Sequence, residues 1–374
     1  MNICRHFNEC GGCSFQDISY SQQIDDKKKR LVEISDLKNI DIIPSPEIWK
    51  FRNKMEYSFE GENLGLHPRG RFDRVVDLKE CPVFSDWVGD FFKKVREFAS
   101  KNEISYYDRK KKKGTLRYII PRESKFTGQK MVILAVNENE FNHHHEWVEM
   151  VKDNVENISS IVLARRHTSG DTAYTDDYEI LSGKKQIEMK AGDLSLKMSP
   201  FSFFQPNSYQ IDNMYSIISS GIKGRADIMD LYSGVGSISF YLAHPGRSIT
   251  AVESCPSCMQ DASHNKNSLN PPGEIRFRED TVRSFLSEIK RKCDYVILDP
   301  PRGGMSYKVW LHLDRINREI GKLKKIYYIC CSLNNLKRDL EFIRGSMKWK
   351  INKVTGVDMF VHTPHLETIV ELTP

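Results

Sequence analysis

The sequence of 374 residues is 39% hydrophobic and carries a formal net charge of +6 at pH 7. This length is large for one hydrophobic core and predicts two or three domains, and the composition excludes a disordered chain. No apolar run approaches the roughly 20 residues that span a bilayer, and the N-terminus lacks the pattern of a secretory signal. We therefore expect a cytoplasmic protein, without a membrane partner, whose nine cysteines are reduced.

The first predicted element is a cysteine- and glycine-rich segment, residues 1–16, followed by a helix over residues 17–36. Cys4, Cys10 and Cys13 are separated by five and two residues, and the next cysteine along the chain is Cys81. This spacing predicts a metal site with four thiolate ligands, for which zinc and a [4Fe–4S] cluster are both suitable. Spacing alone favours zinc, since zinc sites are commoner, and three unrelated buried thiols are the alternative.

Short strands separated by turns are predicted between residues 41 and 190, with one helix at about 145–157. The strands are read from KMEYSFEG, LRYIIPR, KMVILAVN and SSIVLARR. This pattern predicts an α+β domain with mostly antiparallel pairing.

The same region contains a concentrated positive charge. Residues 101–130 hold ten Lys or Arg and three Asp or Glu, a net charge of +7. Such a patch predicts a nucleic-acid partner. The tyrosines Tyr106, Tyr107 and Tyr118 lie between the charges and favour this interpretation over a solvated lysine loop.

From residue 191 onward, apolar strands alternate with helices. The strands are read from ADIMDLYSG, SITAVES, DYVILDPP and KIYYICCS, and the alternation predicts an α/β fold with a doubly wound parallel sheet. The predicted division of the chain is therefore 1–40 for the cysteine segment and helix, 41–190 for a smaller central α+β domain, and 191–374 for the α/β domain.

A glycine turn, DLYSGVGS, follows the first strand of the α/β domain. Gly234 and Gly236 allow close approach of a ligand, and Glu253 at the end of the next strand can accept hydrogen bonds from both hydroxyls of a ribose. Ser239 occupies the place of the third glycine of dinucleotide sites, which favours S-adenosylmethionine over NAD. An ordinary strand–turn–helix joint is the alternative. Asp299, in DPPRGG, projects toward the same crevice from a rigid Pro-Pro turn.

Two further cysteine pairs occur in this half of the chain. Cys255 and Cys258 form a C-x-x-C motif, which we interpret as incidental because no second pair lies at zinc-finger spacing. Cys330 and Cys331 are adjacent at the end of an apolar run, where packing does not require them. Either of these two could be a structural thiol, a metal ligand or a nucleophile.

Together the motifs resemble a known family, the S-adenosylmethionine-dependent RNA uracil-5-methyltransferases, over nearly the whole chain. The motifs, in chain order, are CRHFNECGGC with the later ECP, FRNKMEYSF, GTLRYIIPR, SPFSFFQPN, DLYSGVGS, DPPRGG, YICCSLNNLKRDL and HLETIVEL. The resemblance implies a Rossmann-like methyltransferase domain. It also implies a [4Fe–4S] cluster, rather than zinc, on Cys4, Cys10, Cys13 and Cys81.

The resemblance also implies roles for individual residues. Alignment of the family pattern S-C-N-P-x-T-x-x-R-D on Arg338 and Asp339 places the nucleophile at Cys331 rather than Cys330, and the general base is Glu367 of HLET. The residues that carry over as cofactor contacts are Gln205, Tyr232, Glu253 and Asp299. Candidates to line a pocket for the target base, with core packing as the alternative for two of them, are Phe201, Phe203 and Phe204.

The implied reaction is methyl transfer from S-adenosylmethionine to carbon 5 of a specific uridine through a covalent cysteine–uracil adduct. Ribosomal RNA is expected in preference to transfer RNA, without an obligate protein partner. The chain lacks room before Cys4 for the N-terminal TRAM barrel of some members, so RNA recognition is assigned to the cluster region and residues 101–130. The alternatives are a methyltransferase acting on a base nitrogen, and an RNA-binding iron–sulfur protein without turnover, suggested by Ser332–Leu333 in place of Asn-Pro.

Overall fold

Two large β-sheets carry the fold of the computed structural model, which describes residues 3–137, 141–167 and 172–374. The helices are α1 (Tyr20–Ser35), α2 (Trp87–Lys101), α3 (His144–Asn154), α4 (Ile211–Ser220), α5 (Ser237–Leu242), α6 (Pro256–Leu269), α7 (Val282–Glu288), α8 (Tyr307–Arg315) and α9 (Leu333–Ser346). The strands are β1 (Asp41–Ile43), β2 (Tyr57–Glu60), β3 (Asn63–Leu66), β4 (Val76–Asp77), β5 (Leu116–Glu123), β6 (Lys130–Val136), β7 (Ile158–Arg165), β8 (Tyr178–Gly183), β9 (Ile187–Ala191), β10 (Leu194–Met198), β11 (Ala226–Leu231), β12 (Arg247–Glu253), β13 (Glu274–Glu279), β14 (Tyr295–Leu298), β15 (Lys325–Cys330), β16 (Lys350–Val357) and β17 (Glu367–Thr373). None of the helices in these described ranges is long and apolar enough to cross a membrane.

The larger sheet has eight strands in the order β1-β16-β17-β15-β14-β11-β12-β13, and β11 to β15 run parallel. Side chains alternate along each strand between two cores, because successive residues of a strand point to opposite faces. Helices α4, α5 and α6 cover one face, and α1, α7, α8 and α9 cover the other. The prediction of an α/β, doubly wound fold is confirmed.

One edge of this sheet differs from the prediction of a parallel sheet. β17 lies between β15 and β16 and is antiparallel to both. Residues 358–366, which join β16 to β17, contain no helix that could cross the sheet, and a short connection of this kind produces antiparallel neighbours. β1 pairs with β16, so residues 41–43 also belong to the larger sheet. The domain division into 1–40, 41–190 and 191–374 stays a prediction.

The smaller sheet has seven strands in the order β4-β3-β2-β5-β6-β7-β8. Its pairs are antiparallel except for β6 and β7, which are parallel because α3 crosses between them. α2 packs with α3 on the core of this sheet. The mostly antiparallel α+β pattern predicted for this region is therefore observed.

The N-terminal segment packs on the loop that precedes β17. The buried Lys27 Nζ of α1 lies 2.6 Å from Asp358 Oδ1 and donates to the carbonyl oxygen of Phe360 at 3.1 Å. The backbone N–H groups of Ser14 and Phe15 both donate to the carbonyl oxygen of His362. Because a buried ion pair without its partner is strongly destabilising, this contact fixes α1 against the loop.

The segment between β10 and α4, residues 199–207, is held by both halves of the chain. From the smaller sheet, the buried Arg122 Nη1 donates to the carbonyl oxygens of Ser199 and Pro200. From α6, Asp261 Oδ2 accepts hydrogen bonds from the Ser199 N–H and the Ser202 hydroxyl. These bonds satisfy buried polar groups and leave the segment little freedom at the sheet edge.

Candidate active site

The glycine turn after β11 follows the backbone path that its sequence predicts. Tyr232, Gly234 and Gly236 have φ angles of 66°, 54° and 80°. A Cβ atom on Gly236 would lie 2.8 Å from the Phe277 ring, so packing and backbone conformation both require glycine there. Tyr232 adopts a left-handed conformation despite its side chain, and such strain is concentrated at functional sites.

Glu253 ends β12, and its carboxylate closes the same turn. Oε2 accepts a hydrogen bond from the Gly234 N–H at 3.0 Å. Oε1 accepts hydrogen bonds from the N–H groups of Ser254 at 2.7 Å and Cys255 at 2.9 Å. The carboxylate is therefore held at the carboxyl edge of the sheet by backbone amides, and its remaining lone pairs can accept bonds from a ligand.

Asp299 lies directly after β14, and Gln205 reaches it from the segment before α4. Gln205 Nε2 donates to Asp299 Oδ2 at 2.9 Å. Burial raises the pKa of Asp299 to about 7, and the nearby Asp230 adds to the shift. A cationic ligand beside this carboxyl group would favour its ionised form.

Asp230, which was not among the residues predicted from the sequence, lies close enough to Asp299 to raise its pKa. It is fully buried near the end of β11, and its Oδ2 accepts a hydrogen bond from the Ser239 hydroxyl at 2.5 Å. Its Oδ1 has no hydrogen-bond partner within the described part of the chain, and burial raises its pKa to about 6. An acidic residue inside the apolar strand IMDL, where charge is costly, is the sequence feature that could have identified it.

The adjacent cysteines Cys330 and Cys331 lie in different surroundings. Cys330 ends β15, is buried in the core beneath α8 and α9, and its thiol donates to the Ser332 carbonyl oxygen at 3.2 Å. Cys331 is partly buried against the opposite core. Burial raises its pKa to about 12, the Glu367 carboxylate adds to this shift, and Arg302 opposes it.

The strand register accounts for the proximity of Cys331 and Glu367. Cys330 pairs with Thr368 across β15 and β17, and the Thr368 hydroxyl donates to the Cys330 carbonyl oxygen at 2.8 Å. Extending this antiparallel register by one residue places Cys331 opposite Glu367. Opposite side chains project from the same face, with Cβ atoms about 5 Å apart in such pairs.

Glu367 begins β17 and is 3% exposed. Its Oε1 has no hydrogen-bond partner among the described residues. Burial raises the pKa of Glu367 well above its ordinary value, the Asp299 carboxylate adds to the shift, and Arg302 opposes it. The structure therefore brings Cys331, Glu367 and Asp299 together at one edge of the sheet.

The three phenylalanines before Gln205 divide between core and surface. Phe201 and Phe204 are buried in the core shared with α4 and α5, whereas Phe203 is 60% exposed. Core packing therefore accounts for two of the three candidates to line a base pocket. Only Phe203 is free to contact a large ligand.

A small pocket away from this site, of about 30 Å³, is lined by all four cysteines singled out in the sequence, Cys4, Cys10, Cys13 and Cys81. The Gly12 N–H donates to Cys10 Sγ at 3.3 Å and the His6 N–H donates to Cys4 Sγ at 3.4 Å. Hydrogen bonds to sulfur of this kind tune iron–sulfur centres. In residues 3–137, 141–167 and 172–374, however, no group of three or more His, Cys, Asp or Glu side chains is arranged to hold a metal ion.

The fold and the strand ends define a class of protein. A doubly wound sheet with a glycine turn after its first strand and carboxylates after its second and fourth strands is typical of S-adenosylmethionine-dependent methyltransferases. A protein-family model described as tRNA (uracil-5-)-methyltransferase matches residues 124–374. The chain belongs to this family, and the prediction of an S-adenosylmethionine-dependent RNA uracil-5-methyltransferase is confirmed.

Curated relatives match almost the entire chain. A tRNA (uracil(54)-C(5))-methyltransferase from Pyrococcus horikoshii is 33% identical over 372 residues, which cover 99% of this chain and 85% of the relative. An uncharacterised RNA methyltransferase from Caldanaerobacter subterraneus is 32% identical and covers 98% of this chain and 83% of the relative.

A solved structure supports the same fold. It is the Pyrococcus abyssi tRNA (uracil-54, C5)-methyltransferase in complex with S-adenosyl-L-homocysteine, which superposes with a TM-score of 0.80 at 29% identity. The match covers 97% of this chain and 86% of that chain.

Proposed function

We propose that this enzyme transfers a methyl group from S-adenosylmethionine to carbon 5 of uridine 54 in transfer RNA. The observation that carries the proposal is the convergence of Cys331, Glu367 and Asp299 at the carboxyl edge of the larger sheet. Position 54 is supported by the Pyrococcus relatives, which are named for that uridine. Ribosomal RNA, the expectation from sequence, is the alternative target and has no such support.

An RNA substrate is supported by a basic surface made of two chain segments, residues 67–74 and 108–113. Arg109 Nη1 joins them, because it lies 3.1 Å from His67 Nε2 and donates to the Phe72 carbonyl oxygen at 3.1 Å. The exposed cations on this surface are Arg69, Arg71, Arg74, Lys110, Lys111, Lys112 and Lys113, and the Phe72 ring is 68% exposed. Cations and an exposed ring together suit phosphates and an unpaired base.

Two basic residues of the segment 101–130 that lie outside this surface are structural. Arg117 and Arg122 are buried, and the Arg117 guanidinium lies 4.3 Å from the centroid of the Tyr107 ring. Tyr107 and Tyr118 are buried as well, so the prediction that the tyrosines of this segment favour nucleic-acid stacking is wrong for these two. Charge counting could not separate these buried cations from the exposed lysines.

The target is tested with labelled S-adenosylmethionine and three RNAs: an unmodified tRNA transcript, the same transcript with cytidine at position 54, and a ribosomal RNA fragment set. We expect label only in the first, with 5-methyluridine at position 54 on nuclease mapping. Methylation of the ribosomal RNA alone would contradict the proposal and restore the sequence-based expectation.

We assign the cofactor pocket to the strand ends that surround the glycine turn. Glu253 accepts hydrogen bonds from the ribose hydroxyls, and the turn itself allows close approach at Gly234 and Gly236. The remaining residues assigned to the pocket are Gln205, Tyr232 and Asp299. The bound sulfonium group supplies the methyl group and a positive charge near these carboxylates.

Cys331 is the proposed nucleophile. Its thiolate adds to carbon 6 of uracil, and the resulting enolate makes carbon 5 nucleophilic toward the methyl group. Without ligands the thiol is protonated, because burial and Glu367 raise its pKa to about 12. Arg302 opposes this rise, and the positive charge of S-adenosylmethionine would lower the pKa of the thiol further when the cofactor is bound.

Glu367 is the proposed general base. After methyl transfer, carbon 5 carries a proton that must leave before the cysteine can be eliminated. Oε1 of Glu367, which has no hydrogen-bond partner in the part of the chain that the structure describes, lies on the same face of the sheet as Cys331 and can accept this proton. Because burial raises the pKa of Glu367, the carboxylate holds the proton firmly once it is transferred.

We also propose that Cys4, Cys10, Cys13 and Cys81 hold a [4Fe–4S] cluster. A single tetrahedral zinc ion requires sulfur atoms roughly 3.8 Å apart, whereas a cubane cluster is larger and requires wider spacing. Cys4, Cys10, Cys13 and Cys81 line one pocket, and the N–H donors to the Cys4 and Cys10 sulfur atoms are of the kind found at iron–sulfur centres. The cluster would be structural here, since the segment packs on the loop before Glu367.

Replacing Cys10 with serine is expected to remove the cluster. Protein purified without oxygen should contain about four iron atoms and matching sulfide per chain, and Cys10→Ser should contain almost none. Cys255→Ser is the matched control, since Cys255 is also partly buried but lies outside this pocket. Stoichiometric zinc without iron or sulfide in the unaltered protein would contradict the proposal.

A further inference from the structure

The C-x-x-C motif of residues 255–258 occupies the start of α6, immediately after β12. Cys255 is the N-cap residue with an extended backbone (φ −86°, ψ 111°), Pro256 opens the helix, and Cys258 lies in its first turn. Cys255 is partly exposed, whereas Cys258 is 5% exposed. The proposed methyl transfer uses neither thiol.

Cys255 and Cys258 lie three residues apart across the first turn of α6, and the Ser257 hydroxyl lies 3.2 Å from Cys255 Sγ. The nearby Cys258 thiol and this hydroxyl lower the pKa of Cys255 to about 5. Cys255 and burial together raise the pKa of Cys258. An accessible thiolate at a helix N-terminus next to a buried second thiol is the arrangement used in thiol–disulfide exchange.

This pair is built into the wall of the cofactor pocket. The Cys255 N–H is one of the donors that hold Glu253 Oε1, at 2.9 Å. On the other side, Cys258 packs in the same core as Phe201 and Phe204, which precede Gln205. Closing a disulfide between the two cysteines would therefore act on the pocket wall through the Glu253 contact.

We propose that Cys255 and Cys258 are a thiol–disulfide exchange site that accepts small organic disulfides such as oxidised glutathione, and that the disulfide form binds S-adenosylmethionine less tightly. The Cys255 thiolate attacks one sulfur of the small disulfide and releases one small thiol. Cys258 then loses its proton, attacks the Cys255 sulfur and releases the second small thiol. Two protein thiols are oxidised by two electrons, and one small disulfide is reduced to two thiols.

The exchange is tested by incubating the full-length enzyme with oxidised glutathione in the absence of oxygen, followed by alkylation and peptide mapping. We expect a Cys255–Cys258 disulfide in the unaltered enzyme, a stable glutathione adduct on Cys255 in Cys258→Ser, and neither product in Cys255→Ser. A stable adduct on Cys255 in the unaltered enzyme, or no reaction there while other cysteines react, would overturn the exchange site.

The effect on the pocket rests on the proposed role of Glu253 and is measured by titrating S-adenosylmethionine calorimetrically without RNA. We expect about tenfold weaker binding to the disulfide form, the size expected for weakening a hydrogen bond to a charged group. The double variant Cys255→Ser, Cys258→Ser should bind equally with and without oxidised glutathione. Equal binding to both forms of the unaltered enzyme would overturn the coupling, whereas no binding to the reduced enzyme would instead overturn the proposed cofactor pocket.

Discussion

The Cys331→Ala variant is expected to lose methyl transfer to below detection while keeping its fold. Carbon 5 of uracil reacts poorly with a sulfonium until a thiolate has added at carbon 6, so the variant lacks the covalent route. Loss of an essential nucleophile lowers turnover by factors on the order of 10⁶. The measurement is transfer of label from S-adenosylmethionine to tRNA, with thermal unfolding followed in parallel.

Cys330→Ala is the matched control because its thiol lies on the other side of the sheet, in the core beneath α8 and α9. With RNA that contains 5-fluorouridine, which blocks elimination, the unaltered enzyme and Cys330→Ala should form a covalent complex that survives denaturation. A complex in Cys331→Ala would contradict the assignment of the nucleophile. Absence of the complex in the unaltered enzyme, despite RNA binding, would favour an RNA-binding protein without turnover.

The Glu367→Gln variant is expected to complete methyl transfer and then remain attached to RNA. The amide cannot remove the proton from carbon 5, so elimination of Cys331 slows, and loss of a general base typically costs about 10²- to 10⁴-fold. Denaturing gel electrophoresis with ordinary tRNA should reveal a methylated covalent complex that accumulates within one turnover.

Glu371→Gln provides a control on the same strand. Glu371 pairs with Lys325 at 2.6 Å near the far end of β17, away from Cys331, so the variant should release RNA at the normal rate. Normal turnover by Glu367→Gln would remove Glu367 from the proposed role. Accumulation of the complex in both variants would point to a general disturbance of β17.

The strands that could be predicted from the sequence are those marked by a local pattern of residues. β11, β12, β14 and β15 are apolar runs bounded by turn residues, and each appears where its pattern predicts it. β13, with the sequence EIRFRE, was missed because it is a mostly exposed edge strand without an apolar run. β16 and β17 were missed because their place in the sheet depends on pairing between distant segments.

Contacts between residues far apart in the sequence could not be predicted either. Lys27 and Asp358 are 331 residues apart, and nothing in either local pattern indicates that they form a buried ion pair. Cys4, Cys10 and Cys13 could be identified because their spacing indicates a metal site. Glu253 and Asp299 could be identified because each lies at the end of a predicted strand. Asp230 was missed, because the acid inside an apolar strand is visible in the sequence but its part in the site becomes clear only when its burial is known.

The hydrogen bonds between β15 and β17 set the distance between the proposed nucleophile, Cys331, and the proposed base, Glu367, because they fix which residues of the two strands lie opposite each other. Inserting a single residue in β17 near its start would exchange the faces of its side chains, turning residue 367 away from the cleft. Inserting two residues would keep the side chain of residue 367 on the same face of the sheet but would move it two residues along β15, away from Cys331. The surrounding loops can therefore vary in length, whereas a single-residue insertion in this strand would displace the base from the nucleophile unless a β-bulge absorbs it, as one does where β16 pairs with β17.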